Sequence, residues 1–174
     1  MGRYVAVLAM VFGLLPLTAI AAGPPSAEDI ATQLNGAARS FVSRDADRGI
    51  TNTAADSGGV AAIDLTINFE FNSAALTSDG AVLVGNLGRA LNDPRLVGKR
   101  FRIEGHTDAV GGDAFNLRLS QQRAETVRRQ LIARNTVDPS RIEVVGYGKS
   151  RLLDPSSPEA AVNRRVRVVN LGAD

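Results

Sequence analysis

The chain has 174 residues, room for one domain with a core of its own plus extensions. Its 44% hydrophobic and 22% charged composition is ordinary for a globular protein, and the formal net charge is only +2, near +1 once Arg3 leaves with an N-terminal leader. Aromatics at 5% and the lack of Trp argue against a nucleic-acid binder. The absence of Cys excludes disulfides, thiolate metal sites, cysteine catalysis and a lipid anchor on cysteine, while a single His speaks against structural zinc. No cofactor is expected.

Arg3 precedes an apolar run from Val5 to Leu15, then Pro16 and the small-residue end Ala19, Ile20, Ala21, Ala22. That pattern predicts a signal peptide over residues 1–22, cleaved after Ala21 or Ala22, with an uncleaved anchor as the competing reading. Residues 23–58 read as a linker with a short helix. Gly23, Pro24 and Pro25 break the chain, and Ser26 opens a pattern with Ile30, Leu34, Ala38 and Phe41 on one face, which either docks on the main domain or stays apart from it. From Ser43 to Gly59 the composition is polar and glycine-rich, a loop.

The main domain is predicted over residues 59–174. Ile63, Leu65, Ile67, Phe69 and Phe71 alternate with polar residues, the period of a strand with one buried face. Ser78 and Asp79 cap a helix with Leu83, Val84, Leu87 and Leu91 inward, ending before Pro94. Lys99 to Gly105 is a second strand with Phe101 and Ile103 inward, followed by a helix from Asp113 to Asn135. Ile142, Val144 and Val145 form a third strand ending at Gly146, Tyr147 and Gly148, and Arg164 to Leu171 is the last. The order βαβαββ predicts an α+β fold, a mixed sheet with helices packed on one side.

The informative stretch runs from Ile103 to Val127. A strand ends, a loop with Gly111 and Gly112 follows, and a helix starts at Asp113, whose carboxylate can accept from first-turn N–H groups. Asn116, Ser120, Arg123, Val127 and Leu131 fall on one inward stripe of that helix. A guanidinium on such a stripe needs a partner, and Asp108 in the preceding loop is the obvious one. Either Asp108 and Arg123 pair, or together they hold a ligand carrying both signs. Thr107, Asp108 and Asn72 sit at carboxyl ends of strands, where sites form in such sheets. Arg164, in phase with Val166 and Val168, adds a cation at the rim of the buried face.

Gly105, His106, Thr107 and Asp108, with Gly111, Asn116, Leu119, Ser120, Arg123, Ala124, Gly146 to Gly148 and Asn163 to Val166, resemble the OmpA-like C-terminal domain. Peptidoglycan-associated lipoproteins and the periplasmic domains of flagellar stator proteins share it, and the likeness covers roughly residues 60–171. The resemblance implies a non-enzymatic module that binds peptidoglycan through diaminopimelate and tethers or stabilises the cell envelope. It implies the periplasm, with room for association with the outer membrane and for outer-membrane or envelope protein partners. By motif position Asp108 takes the ligand ammonium and Arg123 its carboxylate, with Asn116, Thr107 and one of Arg164 or Arg165 completing the pocket. Asn72 stands where relatives often carry Asp. The alternative is a periplasmic interaction or assembly factor that keeps the fold without binding the wall. A hydrolase built on Ser120, His106 and Asp108 is disfavoured, because Ser120 lies within a helix and no nucleophile elbow is present.

Overall fold

The computed structural model describes residues 23–36, 50–51 and 60–173. The expected signal peptide over residues 1–22 lies outside them, as do Ala38 and Phe41 of the first helical pattern. Eight elements follow in chain order: α1 (Ala27–Leu34), β1 (Ile50–Thr51), β2 (Ala62–Leu65), α2 (Ser78–Leu91), β3 (Lys99–His106), α3 (Asp113–Asn135), β4 (Ile142–Gly148) and β5 (Val166–Ala173). The sheet order is β1-β2-β5-β3-β4; β3 and β4 are parallel and every other pairing is antiparallel. The βαβαββ order thus closes into a mixed sheet because β5 returns between β2 and β3.

Strand register sorts the two faces. Ile63, Val168, Ile103 and Val144 form one cross-sheet row, and Leu65, Val166, Gly105 and Gly146 the next. These rows carry the core together with Leu83, Val84, Leu87 and Leu91 of α2 and Ala124, Val127 and Leu131 of α3. Helix α3 reaches the sheet over the two glycines. A Cβ on Gly105 would stand 2.2 Å from the Ser120 carbonyl oxygen, and one on Gly146 would stand 2.5 Å from the Gln121 nitrogen. Nothing larger fits, so these glycines set the height of α3 above the strand ends.

Helix α1 takes the docked alternative. Ser26 and Asp29 form a reciprocal capping box, and Ile30, Ala31 and Leu34 are buried in the same core. Side-chain amides tie it down: Asn86 donates to the Pro25 carbonyl and Asn170 to that of Leu34, each at 2.7 Å. Within the stretch expected to be a loop from Ser43 to Gly59, Ile50 and Thr51 instead pair with Leu65 and Asp64 as the edge strand. The α2 cap also differs from expectation: Thr77, not Ser78 or Asp79, accepts from the Gly80 N–H at 3.1 Å.

The first strand is shorter than its alternation predicts. Leu65 pairs with Val166, the first residue of β5, so no ladder partner remains for the residues beyond. Phe69 keeps one bridge to Leu76, the Glu70 N–H donates to the Ala75 carbonyl at 2.8 Å, and Asn72 turns the chain at φ 51°. Phe71, expected inward, is 99% exposed. Period-two alternation describes extended backbone, and only a neighbouring strand makes it a ladder.

Candidate functional site

The site lies beyond the carboxyl end of β3, where the chain leaves the sheet and enters α3. The loop is held by its own backbone: the Thr107 N–H donates to the Gly148 carbonyl at 2.9 Å and the Ala109 N–H to that of Pro158 at 3.0 Å. Asp108 Oδ1 accepts from the Val110 N–H at 3.2 Å, and Asn116 Nδ2 donates to the Val110 carbonyl at 2.8 Å. Asn116, 2% exposed, therefore uses a side-chain N–H to brace this loop. Asp113 does not cap α3 as expected. The N-cap is Gly112 without a side-chain bond, and the Asp113 carboxylate pairs with Lys149 Nζ at 2.7 Å. Lys149 also donates to the Gly111 carbonyl at 3.0 Å, binding the loop to the end of β4.

Arg123 and Asp108 are neighbours without being partners. Arg123 Nε donates to the Ser73 carbonyl at 3.0 Å, and its guanidinium lies over the Phe69 ring, 4.9 Å from the centroid. Its terminal nitrogens have no hydrogen-bond partner among the described residues. Burial lowers the guanidinium pKa, the Arg164 charge lowers it further, and Asp108 opposes both. The three side chains thus feel one another, yet Asp108 Oδ2 accepts from Arg164 Nη1 at 2.9 Å and not from Arg123. Phe69 and the Ser73 carbonyl were not among the expected site groups. The signal for Phe69 was an aromatic at the end of the alternating run, whereas a backbone acceptor such as Ser73 leaves no trace in composition.

Arg164 and Arg165 part company. The Arg164 side chain is 48% exposed at the cleft, presented by a short 3₁₀ turn (Ala161–Asn163). Asn163 fixes that turn, donating to the carbonyls of Ser157 and Pro158 at 3.0 and 3.1 Å. Arg165 turns to the other face of the sheet, where Nε meets Asp64 Oδ1 at 2.6 Å with both side chains nearly inaccessible. Of the two, only Arg164 reaches the cleft. Asn72 is an exposed turn residue in the left-handed region rather than the last residue of a strand. Thr107 is 3% exposed, and its hydroxyl has no partner among the described residues.

The triad does not assemble. Ser120 Oγ donates to the Leu117 carbonyl at 2.9 Å and accepts from the Gly148 N–H at 2.8 Å, a strut between α3 and β4. His106 is 2% exposed and stacked on Tyr147, with centroids 5.5 Å apart. Its Nε2 lies 3.9 Å from the Glu104 carboxylate, beyond hydrogen-bond range. Burial pushes the imidazole pKa down, more strongly than Glu104 raises it.

The chain is similar to several known proteins. Over 109 residues the chain is 38% identical to outer membrane porin F of Pseudomonas fluorescens, a match covering 62% of this chain and 32% of the porin. It is 35% identical over 109 residues to the peptidoglycan-associated lipoprotein of Pseudomonas aeruginosa, covering 59% of this chain and 60% of that protein. The periplasmic domain of Helicobacter pylori MotB has the same fold, with a TM-score of 0.57 at 18% identity over 72% of this chain and 78% of that one. The chain spans about a third of the porin's length. By name these relatives are an outer membrane porin, a peptidoglycan-associated lipoprotein and a periplasmic domain. Among the described residues no helix is long and apolar enough to cross a membrane. The family model described as the OmpA family matches residues 68–166, the span that holds every cleft residue described above, and the chain is a member of that family.

Proposed function

We propose that this domain binds peptidoglycan non-covalently through the amino-acid head of diaminopimelate, and so tethers or stabilises the cell envelope without acting as an enzyme. One observation carries the reading: Arg123 is not neutralised by Asp108. Its terminal nitrogens stay unengaged beside a carboxylate that faces the same cleft. A centre bearing ammonium and carboxylate on one carbon matches that pair in sign, and a planar guanidinium suits a carboxylate better than an ammonium does. The unpartnered Thr107 hydroxyl is a further group for the ligand to satisfy. Asn116 acts by holding the loop, Arg164 by holding Asp108, and Asn72 by shaping the turn that presents Ser73. One such contact is modest, but repeated sites on a polymeric wall raise the effective concentration.

Sedimentation with purified peptidoglycan tests this. Wild-type protein pellets with the wall, free diaminopimelate releases it, and Arg123→Ala stays in the supernatant while remaining folded. A wild-type protein left in the supernatant, or pelleting that free diaminopimelate does not reduce, contradicts the reading.

A second reading has its own observation. Phe71, Val110, Leu117 and Phe115 are 99%, 56%, 52% and 43% exposed in the segments that flank the cleft. Large apolar side chains left in water favour a protein partner at this end of the domain. Under that reading Phe71→Ser weakens capture of an envelope protein and leaves wall sedimentation unchanged.

A further inference from the structure

The face of the sheet turned away from the helices holds a titratable pair that the cleft does not use. Glu104 and His106, two residues apart on β3 and so on one face, are 6% and 2% exposed. His106 Nε2 lies 3.9 Å from the Glu104 carboxylate, and among the described residues no other basic group comes within ion-pair distance of that acid. Neither imidazole nitrogen has a hydrogen-bond partner among the described residues. The ring rests on Tyr147 instead, and the Arg151 guanidinium lies over the same tyrosine, 3.8 Å from its centroid. Asp64 and Arg165 are the other charges that His106 feels, the first favouring a protonated ring and the second opposing it. Those two are committed to each other. The ladder is also irregular at this point. Register slips between Gly105 and His106, so His106 stands opposite Gly148 and Tyr147 is passed over.

We propose that His106 and Glu104 form a proton-operated latch that loosens the cleft loop from the opposite side of the sheet. The neutral ring stacks on Tyr147 and holds the irregular end of the ladder shut. A proton gives the ring two N–H donors in a buried place, and Glu104 is the acceptor within reach. Their separation is beyond hydrogen-bond range, so the ring has to leave Tyr147 to close it. Two backbone steps carry that shift to the cleft. Thr107, next in the chain, donates to the carbonyl of Gly148, the residue after Tyr147, at 2.9 Å. Ser120 of α3 accepts from the Gly148 N–H at 2.8 Å. Slackening these ties frees the loop that carries Asp108, and wall affinity falls as the ring charges. The effect on binding rests on the reading of the cleft as a wall site; the ring movement does not.

A single histidine makes the test direct, because the whole chain gives one set of imidazole signals. Followed by NMR from about pH 7.5 to about pH 5, those signals should titrate below the ordinary value of about 6.5, with the ring contact to Tyr147 lost in step. Ordinary carboxylates stay largely ionised over that range. Affinity for purified peptidoglycan, read by sedimentation, should fall about five- to tenfold between the two ends, the scale of a modest coupling between sites. Glu104→Gln keeps the shape of the acid and removes its charge, so its imidazole should titrate lower and its wall binding should stay flat. His106→Phe keeps a ring on Tyr147 and should be flat as well. An imidazole that is still neutral at about pH 5, or one that charges with the Tyr147 contact kept, overturns the latch. An acid loss of wall binding equal in wild type and Glu104→Gln overturns it too. If the ring moves and wall binding is unchanged, the inference fails while the wall reading stands. If the wild type does not bind the wall even at the upper end of the range, the wall reading fails and the inference goes with it.

Discussion

Two carboxylate–guanidinium clusters occupy opposite faces of one sheet, and they are finished to different degrees. On the face away from the helices, Asp64, Arg167, Glu104 and Val145 form a cross-sheet row. Asp64 there meets Arg165 at 2.6 Å and Arg167 at 3.7 Å, and no side chain of the three is more than 6% exposed. On the helix side, Asp108 meets the half-exposed Arg164, and Arg123 is left with acceptors to find. The same residue types build a closed network in one place and an open one in the other. Burial with mutual satisfaction marks architecture, whereas a desolvated cation beside an occupied anion marks a place for something else. Arg164 and Arg165, adjacent in the chain, serve one cluster each.

The largest effect should come from breaking the closed cluster. Asp64→Ala removes the buried carboxylate that Arg165 and Arg167 both meet and is expected to cost about 3–5 kcal/mol of stability, read by denaturant unfolding. Protein that remains folded should still sediment with peptidoglycan. Next, Gly105→Ala drives a methyl into the Ser120 carbonyl and should lift α3 at a cost of about 1–3 kcal/mol. Because α3 carries Arg123, that change should weaken wall binding as well, coupling the core to the cleft.

Breaking the open cluster has the opposite signature. Arg123→Ala should lower affinity for diaminopimelate by about ten- to a hundredfold and leave the unfolding midpoint nearly unchanged, since its partners are one carbonyl and one ring face. Equal losses of stability in Asp64→Ala and Arg123→Ala would erase the distinction between the clusters.

The smallest effect is a pH dependence on the closed side. His106 is the chain's single histidine, and burial holds its folded pKa below the ordinary value. The unfolded chain therefore binds the proton more readily, so stability is full above the unfolded value of about 6.5 and declines as pH falls below it, levelling once the folded imidazole protonates. Thermal melts from pH 7.5 downward should show this shallow decline, and His106→Phe should flatten it.

What could be read from the sequence divides along the same line. Helix α3 came out with its observed ends, and Asn116, Ser120, Val127 and Leu131 are buried together because steps of four and seven residues keep them on one stripe. Asp108 and Arg123 stood out because a charge on an inward stripe demands an account. The pairing of Asp108 with Arg164 spans 56 residues and follows from β5 entering between β2 and β3, a tertiary choice that no local pattern encodes. Asp64 was read as the polar side of an alternating strand. The counter-signal was Arg165 and Arg167 on either side of Val166, two cations on the face opposite the buried valines that called for an acid across the sheet. Phe71 misled because alternation continues past the last residue of β5 able to pair with it.

A crystal structure of the protein soaked with diaminopimelate tests the central claim most directly. The account predicts density for an amino-acid head whose carboxylate lies within hydrogen-bond distance of the Arg123 terminal nitrogens and whose ammonium lies next to Asp108. An empty cleft at saturating ligand, with Arg123 still on Ser73 alone and Asp108 still on Arg164, would contradict it.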